Sequence, residues 1–234
     1  MHRDRRISVC FPCRNEAANL AEVIGRLPAL VDEVIVVSNR STDDTVAVAQ
    51  SLGVKVVEDD RAIGGIGYGF AHMTAIELST GDLVVGVDAD GTYPVEQLAD
   101  ALDHLIDAEL DFVSCNRFPI REGTSIPPKL RLGVWLLNTE VRLLYRLRIN
   151  DILSGMWVLR REAIPRLGLS VGDWNLSPQI KLNAFTDDEI AAGEFGIVQH
   201  QRLGTSHQRY FRTGTSHAWW ILANRFRRRS TPET

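Results

Sequence analysis

The sequence predicts an α/β fold: a mostly parallel sheet with helices on both faces. Two observations predict it. Short runs rich in β-branched and apolar residues recur through residues 1–116, and segments with apolar residues at helical spacing lie between them. A third observation points to where a site belongs. The polar clusters fall just after the apolar runs, where parallel α/β sheets bind their ligands.

The elements follow in order. Residues 7–11 form the first strand, and residues 16–29, with Ala17, Leu20, Ile24 and Leu27 on one face, the first helix. Residues 33–37 are strand-like. Ser41 or Thr42 offers an N-cap for a helix over 43–52, and residues 54–57 make a third strand. A helix over 71–78 and a strand over 82–87 come next. A helix over 94–107, opened by Pro94, and a fifth strand over 112–115 complete the alternation. The Pro127–Pro128 pair and a long helical pattern over 129–147 mark a change of style, so the alternating part is expected to end near residue 116. With 234 residues and no Gly/Ser or Pro/Gly linker, the chain reads as one domain. Within it, residues 1–116 are expected to form the alternating half, and residues 117–234 a helical half with a basic C-terminal segment.

Composition narrows the class. Hydrophobic residues at 44% and charged residues at 24% disfavour disorder, collagen-like repetition and a disulfide scaffold. The longest apolar run, 218–223, is far short of the ~18 residues that span a bilayer, and the basic N-terminus leads only into a strand-length apolar segment. A cytoplasmic location is therefore expected, with Cys10, Cys13 and Cys115 as free thiols. Charge is segregated. Residues 1–115 carry 8 Lys+Arg against 20 Asp+Glu, and residues 116–234 carry 18 against 10. Residues 195–234 hold seven arginines and one acid, which suits a phosphate-bearing partner or an anionic membrane surface. No nucleic-acid partner is expected.

Three polar clusters converge on one edge: Pro12-Cys13-Arg14-Asn15-Glu16, Ser38-Asn39-Arg40-Ser41-Thr42-Asp43, and Asp88-Ala89-Asp90-Gly91-Thr92-Tyr93-Pro94. Asp88 and Asp90 are two apart in extended chain, so both face one side. Hard carboxylate oxygens in this arrangement suit Mg²⁺ or Mn²⁺, whose remaining ligands come from phosphate and water.

The segments PCRNEAANL, VIVVSNRSTDDT, GYGFAHMTAIELSTGDLVVGVDADGTYP and NDILSGMWVLRR, in this order, resemble the family 2 glycosyltransferases of GT-A fold, whose sheet is Rossmann-like. The likeness is strongest to the dolichol-phosphate and polyprenyl-phosphate mannose or glucose synthases and covers roughly residues 7–206. It implies inverting transfer of a hexose from a GDP- or UDP-sugar to a lipid phosphate, with the nucleotide sugar bound by residues 1–116 and the acceptor by residues 117–234. By this resemblance Pro12, Arg14, Asn15 and Glu16 form one nucleotide-sugar loop and Asn39, Ser41 and Asp43 a second. Asp88 meets ribose and diphosphate, and Asp88 with Asp90 holds the metal. Arg117, Arg131, Arg202 and Ser206 fall where the lipid-phosphate branch binds its acceptor. Guanidinium groups also suit phosphate for a reason independent of kinship, since they clasp it with paired hydrogen bonds. The glycines of 64–69, Gly69 included, are expected to shape a loop over the donor.

Departures from the family pattern carry information. Ser38 and His207 stand where many members have aspartate and lysine. Ser177-Pro178-Gln179 lies about where soluble-acceptor members carry a Glu-Asp pair with a general base. A phosphate monoester, with a second pKa of about 6, attacks without one, so the gap favours a phosphate acceptor. Asp173 is the substitute base if the acceptor is a hydroxyl. A soluble phosphorylated or hydroxyl acceptor, and a non-catalytic nucleotide-sugar-binding subunit, are the rival readings.

Two further signals stay open at this level. Trp219-Trp220-Ile221-Leu222 followed by Arg225–Arg229 suits either peripheral contact of residues 218–229 with the inner face of a membrane or a packed terminal helix. The Leu132, Trp135, Leu136, Leu143, Leu144 and Leu147 stripe suits either the core or an apolar lid. The Cys10-Phe11-Pro12-Cys13 spacing and the 64–69 glycines lack the context of a redox, dinucleotide or P-loop motif.

Overall fold

The computed structural model describes residues 1–203 and 210–229, with side chains for all of these except 210, 228 and 229. The strands are β1 (Ile7–Cys13), β2 (Glu33–Ser38), β3 (Lys55–Glu58), β4 (Leu83–Gly86), β5 (Phe112–Asn116), β6 (Trp157–Arg160) and β7 (Ala192–Gly196). The helices are α1 (Ala17–Gly25), α2 (Thr45–Ser51), α3 (Tyr68–Leu78), α4 (Leu98–Asp107), α5 (Pro128–Tyr145), α6 (Ile164–Leu167), α7 (Leu176–Thr186) and α8 (Tyr210–Arg229). The strands form one sheet in the order β3-β2-β1-β4-β6-β5-β7. β1, β2, β3 and β4 pair in parallel, β6 runs antiparallel between β4 and β5, and β7 is parallel to β5.

The five expected strands are present within a residue or two of their expected ends. The half after residue 116, expected to be helical, also supplies β6 and β7. β7 (AGEFG) has too little β-branched or aromatic character to read as a strand. β6 is only four residues long, buried on both faces, and its pattern does not alternate. The helix expected from Pro94 opens instead with a 3₁₀ turn, Val95–Gln97, before α4. Ser41 and Thr42 do not cap α2, which starts at Thr45. The carboxylate of Asp43 accepts from the Thr45 amide there.

Alternation along each strand sends side chains into two layers. Ile7, Val9 and Phe11 of β1 and Val36 of β2 pack with Leu20 and Val23 of α1 and Leu98, Leu102 and Leu105 of α4. Cys10, Ile35 and Val37 face the other way, toward Ala71 and Ala75 of α3 and Ile180 and Ala184 of α7. A third cluster joins Leu137 and Val141 of α5 to Ile221 of α8 and Leu182 of α7, with Trp220, Leu144 and Leu147 packed against it. At Gly86 a Cβ would lie 2.1 Å from the Trp157 ring, the residue paired with it on β6, so only glycine admits that indole. Among the described residues no helix is long and apolar enough to cross a membrane.

β1 and β4 are neighbours whose next strands, β2 and β5, lie toward opposite edges of the sheet. This makes the crevice at their carboxyl ends the topological switch point. The β1–β4 ladder ends at Cys10 and Gly86, while β1 continues to Cys13 beside β2 alone. Pro12, with no N–H to give a ladder, therefore sits where one neighbour has already left.

Candidate active site

Two adjoining cavities open at this switch point. The first, of about 440 Å³, is walled by the end of β1 (Pro12, Arg14, Glu16), by Asn39 after β2, and by Asp88 and Asp90 after β4. Tyr68 at the start of α3 and Asp173 and Trp174 before α7 close it. The second, of about 390 Å³, is lined by Arg117, Gln199, Gln201, Ser177 and His217, and by Pro127 and Leu130 at the start of α5. Tyr68, Asp88, Trp174 and Arg202 line both.

The two carboxylates after β4 are held differently. Asp88 is partly buried and its Oδ1 accepts the Tyr68 hydroxyl at 2.9 Å. Burial, and then the neighbouring Asp90 charge, push its pKa up to about 7. Asp90 is 3% exposed. Its Oδ1 accepts from the Thr92 amide at 2.9 Å and the Thr92 hydroxyl, and its Oδ2 lies 2.6 Å from the Arg202 guanidinium. Glu16, also in this wall, has its pKa raised by burial above all, with the Asp90 charge adding to it. A cluster of carboxylates that repel one another in a buried wall is a seat for positive charge.

The donor set fits Mg²⁺ or Mn²⁺ in a restricted sense. Asp88 and Asp90 present hard oxygens to one cavity, and Arg202 already supplies Asp90 with a cationic partner. Among the described residues no group of three or more His, Cys, Asp or Glu is arranged to hold a metal ion. An ion here would take its other ligands from phosphate oxygens and water, the usual habit of Mg²⁺.

The expected site residues divide into three groups. Pro12, Arg14, Glu16, Asn39, Asp88, Asp90, Asp173 and Arg202 line the first cavity together. Asn15, Ser41 and Asp43 instead tie the two loops to each other. The Asn15 amide donates to Ser41 Oγ, its Oδ1 accepts from the Thr42 amide, and Asp43 accepts from the Ala17 amide. Gly69 is also outside the lining. A Cβ there would lie 2.0 Å from the Val171 carbonyl, and its amide donates to Gly172, so glycine lets α3 close against the loop carrying Asp173 and Trp174.

The acceptor arginines are not equivalent. Arg117 lines the second cavity but is 5% exposed, with Nε 2.5 Å and Nη2 2.9 Å from the two Asp151 oxygens. Its Nη1 donates to Gln199, so the fork expected to clasp phosphate clasps a carboxylate. Arg131 is exposed one turn into α5 and donates to the Ile126 carbonyl. Arg202 reaches both cavities. Ser206 and His207 lie outside the described residues. Asp173 accepts from the Asn175 amide at 2.9 Å. Gln179 is buried; its Oε1 accepts from the Ser170 and Val171 amides and its Nε2 donates to the Ser170 hydroxyl, and that donation suits an amide rather than an acid at this position.

Sequence reasoning missed Tyr68, Trp174, Gln199 and His217. Tyr68 was legible as an aromatic inside the 64–69 glycines. The others come from loops and helices after residue 170, whose approach to the site depends on the two unforeseen strands. The Cys10, Cys13 and Cys115 thiols are buried and unpaired with one another, and burial raises their pKa values, which leaves them unreactive.

Residues 8–168 match the family described as Glycosyl transferase family 2. Among curated relatives, the chain is 29% identical over 225 residues to the low-salt glycan biosynthesis hexosyltransferase Agl6 of Haloferax volcanii. That alignment takes in 93% of the chain but 53% of the relative, so the chain spans about half of that protein's length. It is 31% identical over 162 residues to a dolichyl-phosphate hexose transferase of the same organism, covering 68% of each. Among solved structures, glucosyl-3-phosphoglycerate synthase from Mycobacterium tuberculosis, in complex with Mn²⁺, uridine diphosphate and phosphoglyceric acid, superposes with a TM-score of 0.74. The match covers 99% of the chain and 81% of that structure at 20% identity, a likeness of GT-A fold.

Proposed function

The chain belongs to glycosyl transferase family 2, and from that membership we propose that it moves a hexose from a nucleotide sugar, held in the first cavity, to a phosphate-bearing acceptor held in the second. One observation carries the reading. The two cavities share Tyr68, Asp88, Trp174 and Arg202, so a bound donor and acceptor would meet across a single wall.

The lining supports a phosphate as the nucleophile. Among the described residues of the second cavity, Asp88 is the sole carboxylate, and Arg202 is the guanidinium that reaches it from the first cavity, while Arg117 is clasped by Asp151 and burial pushes the His217 pKa down to about 4. A hydroxyl acceptor would need a base at its own position, whereas a phosphate monoester is already an oxyanion at neutral pH. Polyprenyl phosphate is the first choice, in keeping with the relative named a dolichyl-phosphate hexose transferase. Contact of residues 218–229 with a membrane, through the exposed Trp219, accompanies that choice. A small phosphorylated metabolite is the second choice. The bounded, polar second cavity favours it, as does the phosphoglyceric acid with which the M. tuberculosis synthase is complexed.

Asp88 and Asp90 would hold Mg²⁺ or Mn²⁺, which when bound offsets the negative charge that grows on the departing nucleoside diphosphate. The chain's own residues do the rest. Glu16 and Asn39 border the nucleotide, and the Asn39 Oδ1, buried and without a partner among the described residues, is an open acceptor there. Tyr68 fixes the Asp88 carboxylate. Arg202 stands between donor and acceptor phosphates, where its charge reduces their mutual repulsion.

The test is transfer from a panel of labelled nucleotide sugars with Mg²⁺ or Mn²⁺, followed by partition of product between organic and aqueous phases. Organic-phase label with a polyprenyl phosphate supports the first acceptor, and aqueous label with phosphorylated metabolites supports the second. Donor binding with no transfer to any phosphate, or full activity of Asp90→Ala, refutes the reading.

A further inference from the structure

The helix α5 has two apolar faces and only one of them is in the core. Val134, Leu137 and Val141 are buried, and Leu137 and Val141 pack in the cluster shared with α7 and α8. On the opposite side, at helical spacing, Leu132, Trp135, Leu136 and Leu143 are 58%, 62%, 53% and 76% exposed. Scattered exposed leucines are ordinary, but four large apolar side chains along one helix face are not. From 132 to 143 the stripe runs for roughly 16 Å.

One border is basic and the other mixed. At 100° per residue, Arg131 and Arg142 flank the stripe on one side and Lys129 with Glu140 on the other, with Arg146 and Arg148 just beyond the helix. Glu140 is the single acid between residues 125 and 150, and the packed neighbour α8 carries five arginines and no acid. The chain's acidic residues lie mostly in the other half. Trp219 of α8 adds a second outward tryptophan, 73% exposed.

We propose that the outward face of α5 is a docking surface for an anionic lipid bilayer, on which the helix lies flat. Apolar side chains with a tryptophan, edged by arginine and lysine, match the interfacial region of a membrane. There the apolar stripe enters the acyl boundary and the cations meet headgroup phosphates. A two-fold contact with a second copy fits poorly, because it would set this basic fringe against itself. Pro127 and Leu130, at the start of the same helix, line the second cavity, so docking would bring that cavity to the bilayer surface. The surface is read apart from the acceptor: its test needs neither donor nor acceptor, and its failure leaves the transfer reading standing.

The experiment is flotation of the full chain with vesicles of phosphatidylcholine alone and of phosphatidylcholine with phosphatidylglycerol. The chain should float with the anionic vesicles and be released by high salt. Leu132→Ser/Trp135→Ser/Leu136→Ser/Leu143→Ser should cut recovery on the order of tenfold or more, as loss of that much apolar contact requires. Lys129→Gln/Arg142→Gln should shift the salt dependence. Leu52→Ser, on the exposed side of the distant α2 end, should float as the parent does, and thermal melts confirm that each variant is folded. Equal recovery of parent and quadruple variant, or equal flotation with neutral and anionic vesicles, overturns the proposal. So does light scattering that shows a parental dimer turned monomer by the same four changes.

Discussion

Arg202 lies with its Nη1 2.6 Å from Asp90 Oδ2, and the same guanidinium lines both cavities. A basic group that neutralises a buried carboxylate in the absence of ligands must share that carboxylate with any divalent cation that arrives. Among the described residues Arg202 is the one cation paired with Asp90, whose other oxygen is taken by Thr92. Arg202→Ala should therefore tighten Mn²⁺ binding several-fold in nucleotide-free protein, read by the electron paramagnetic resonance of free Mn²⁺, while slowing transfer. Mn²⁺ binding that is unchanged or weaker contradicts the competition.

Tyr68 donates to Asp88 and packs on Trp174 with ring centroids 4.6 Å apart, so one side chain holds the carboxylate and lines both cavities. Burial and the Asp88 charge keep its phenol protonated well above the ordinary range. Tyr68→Phe keeps the ring and removes the hydrogen bond to a charged acceptor, worth about 1.5–3 kcal/mol. The expected result is a fall in kcat of roughly ten- to a hundredfold, with the melting temperature nearly unchanged. Wild-type kcat would show that Asp88 needs no such support.

The Arg117–Asp151 pair is sealed from water, with Asp151 fully buried and Arg117 nearly so. Burial alone would raise the Asp151 pKa, but the Arg117 charge and its hydrogen bonds hold it below the ordinary carboxylate value. A lowered carboxylate pKa gives stability that is complete above the unfolded value of about 4 and lost as pH falls below it. Asp151→Asn leaves a buried cation with half its partners and should cost about 3–5 kcal/mol in urea denaturation at pH 7. That penalty should shrink as the pH drops below 4. A loss under 1 kcal/mol would mean that solvent reaches Arg117.

The parts of the fold legible beforehand are those in which local pattern and tertiary role agree. β1 to β4 are parallel strands in a crevice-forming half, and their apolar runs, followed by polar clusters, report both the strand and the edge of the sheet. Asp88 and Asp90 were expected in extended chain, where period-two geometry sends both to one side. But β4 ends at Gly86 and Asp90 lies in a bend, so it is the loop after the strand that brings both to the first cavity. β7 was not legible, because its AGEFG sequence is held by pairing with β5 rather than by propensity. The role of Arg117 was hidden for a related reason. A guanidinium reads as a phosphate clasp until its partner is known, and Asp151, 34 residues away, reads as a loop acid. The 129–147 stripe was ambiguous because its sequence holds both faces of α5, and only packing assigns 134, 137 and 141 to the core and 132, 135, 136 and 143 to the surface.

His72 is fully buried on α3, between the Tyr68 and Trp157 rings, and neither ring nitrogen has a partner among the described residues. His217, at the second cavity, pairs its Nδ1 with Asn175 Oδ1 at 2.8 Å. Burial first, and the Lys181 charge second, push their pKa values down to about 3 and about 4. Because both folded values lie below the unfolded one of about 6.5, the unfolded chain takes up protons first as pH falls. Stability is thus complete above about pH 6.5 and declines from there toward pH 4 and below. His72→Leu removes one of the two groups and leaves no orphaned nitrogen, so at pH 8 its stability should match the parent within about 1 kcal/mol. At pH 5 the parent bears a protonation penalty of about 2 kcal/mol for this histidine, which the variant lacks. Urea titrations of both proteins at the two pH values should show a gap between pH 8 and pH 5 that is narrower in the variant by that amount. Parallel losses in parent and variant would place a proton on His72 in the folded protein and require a partner for it.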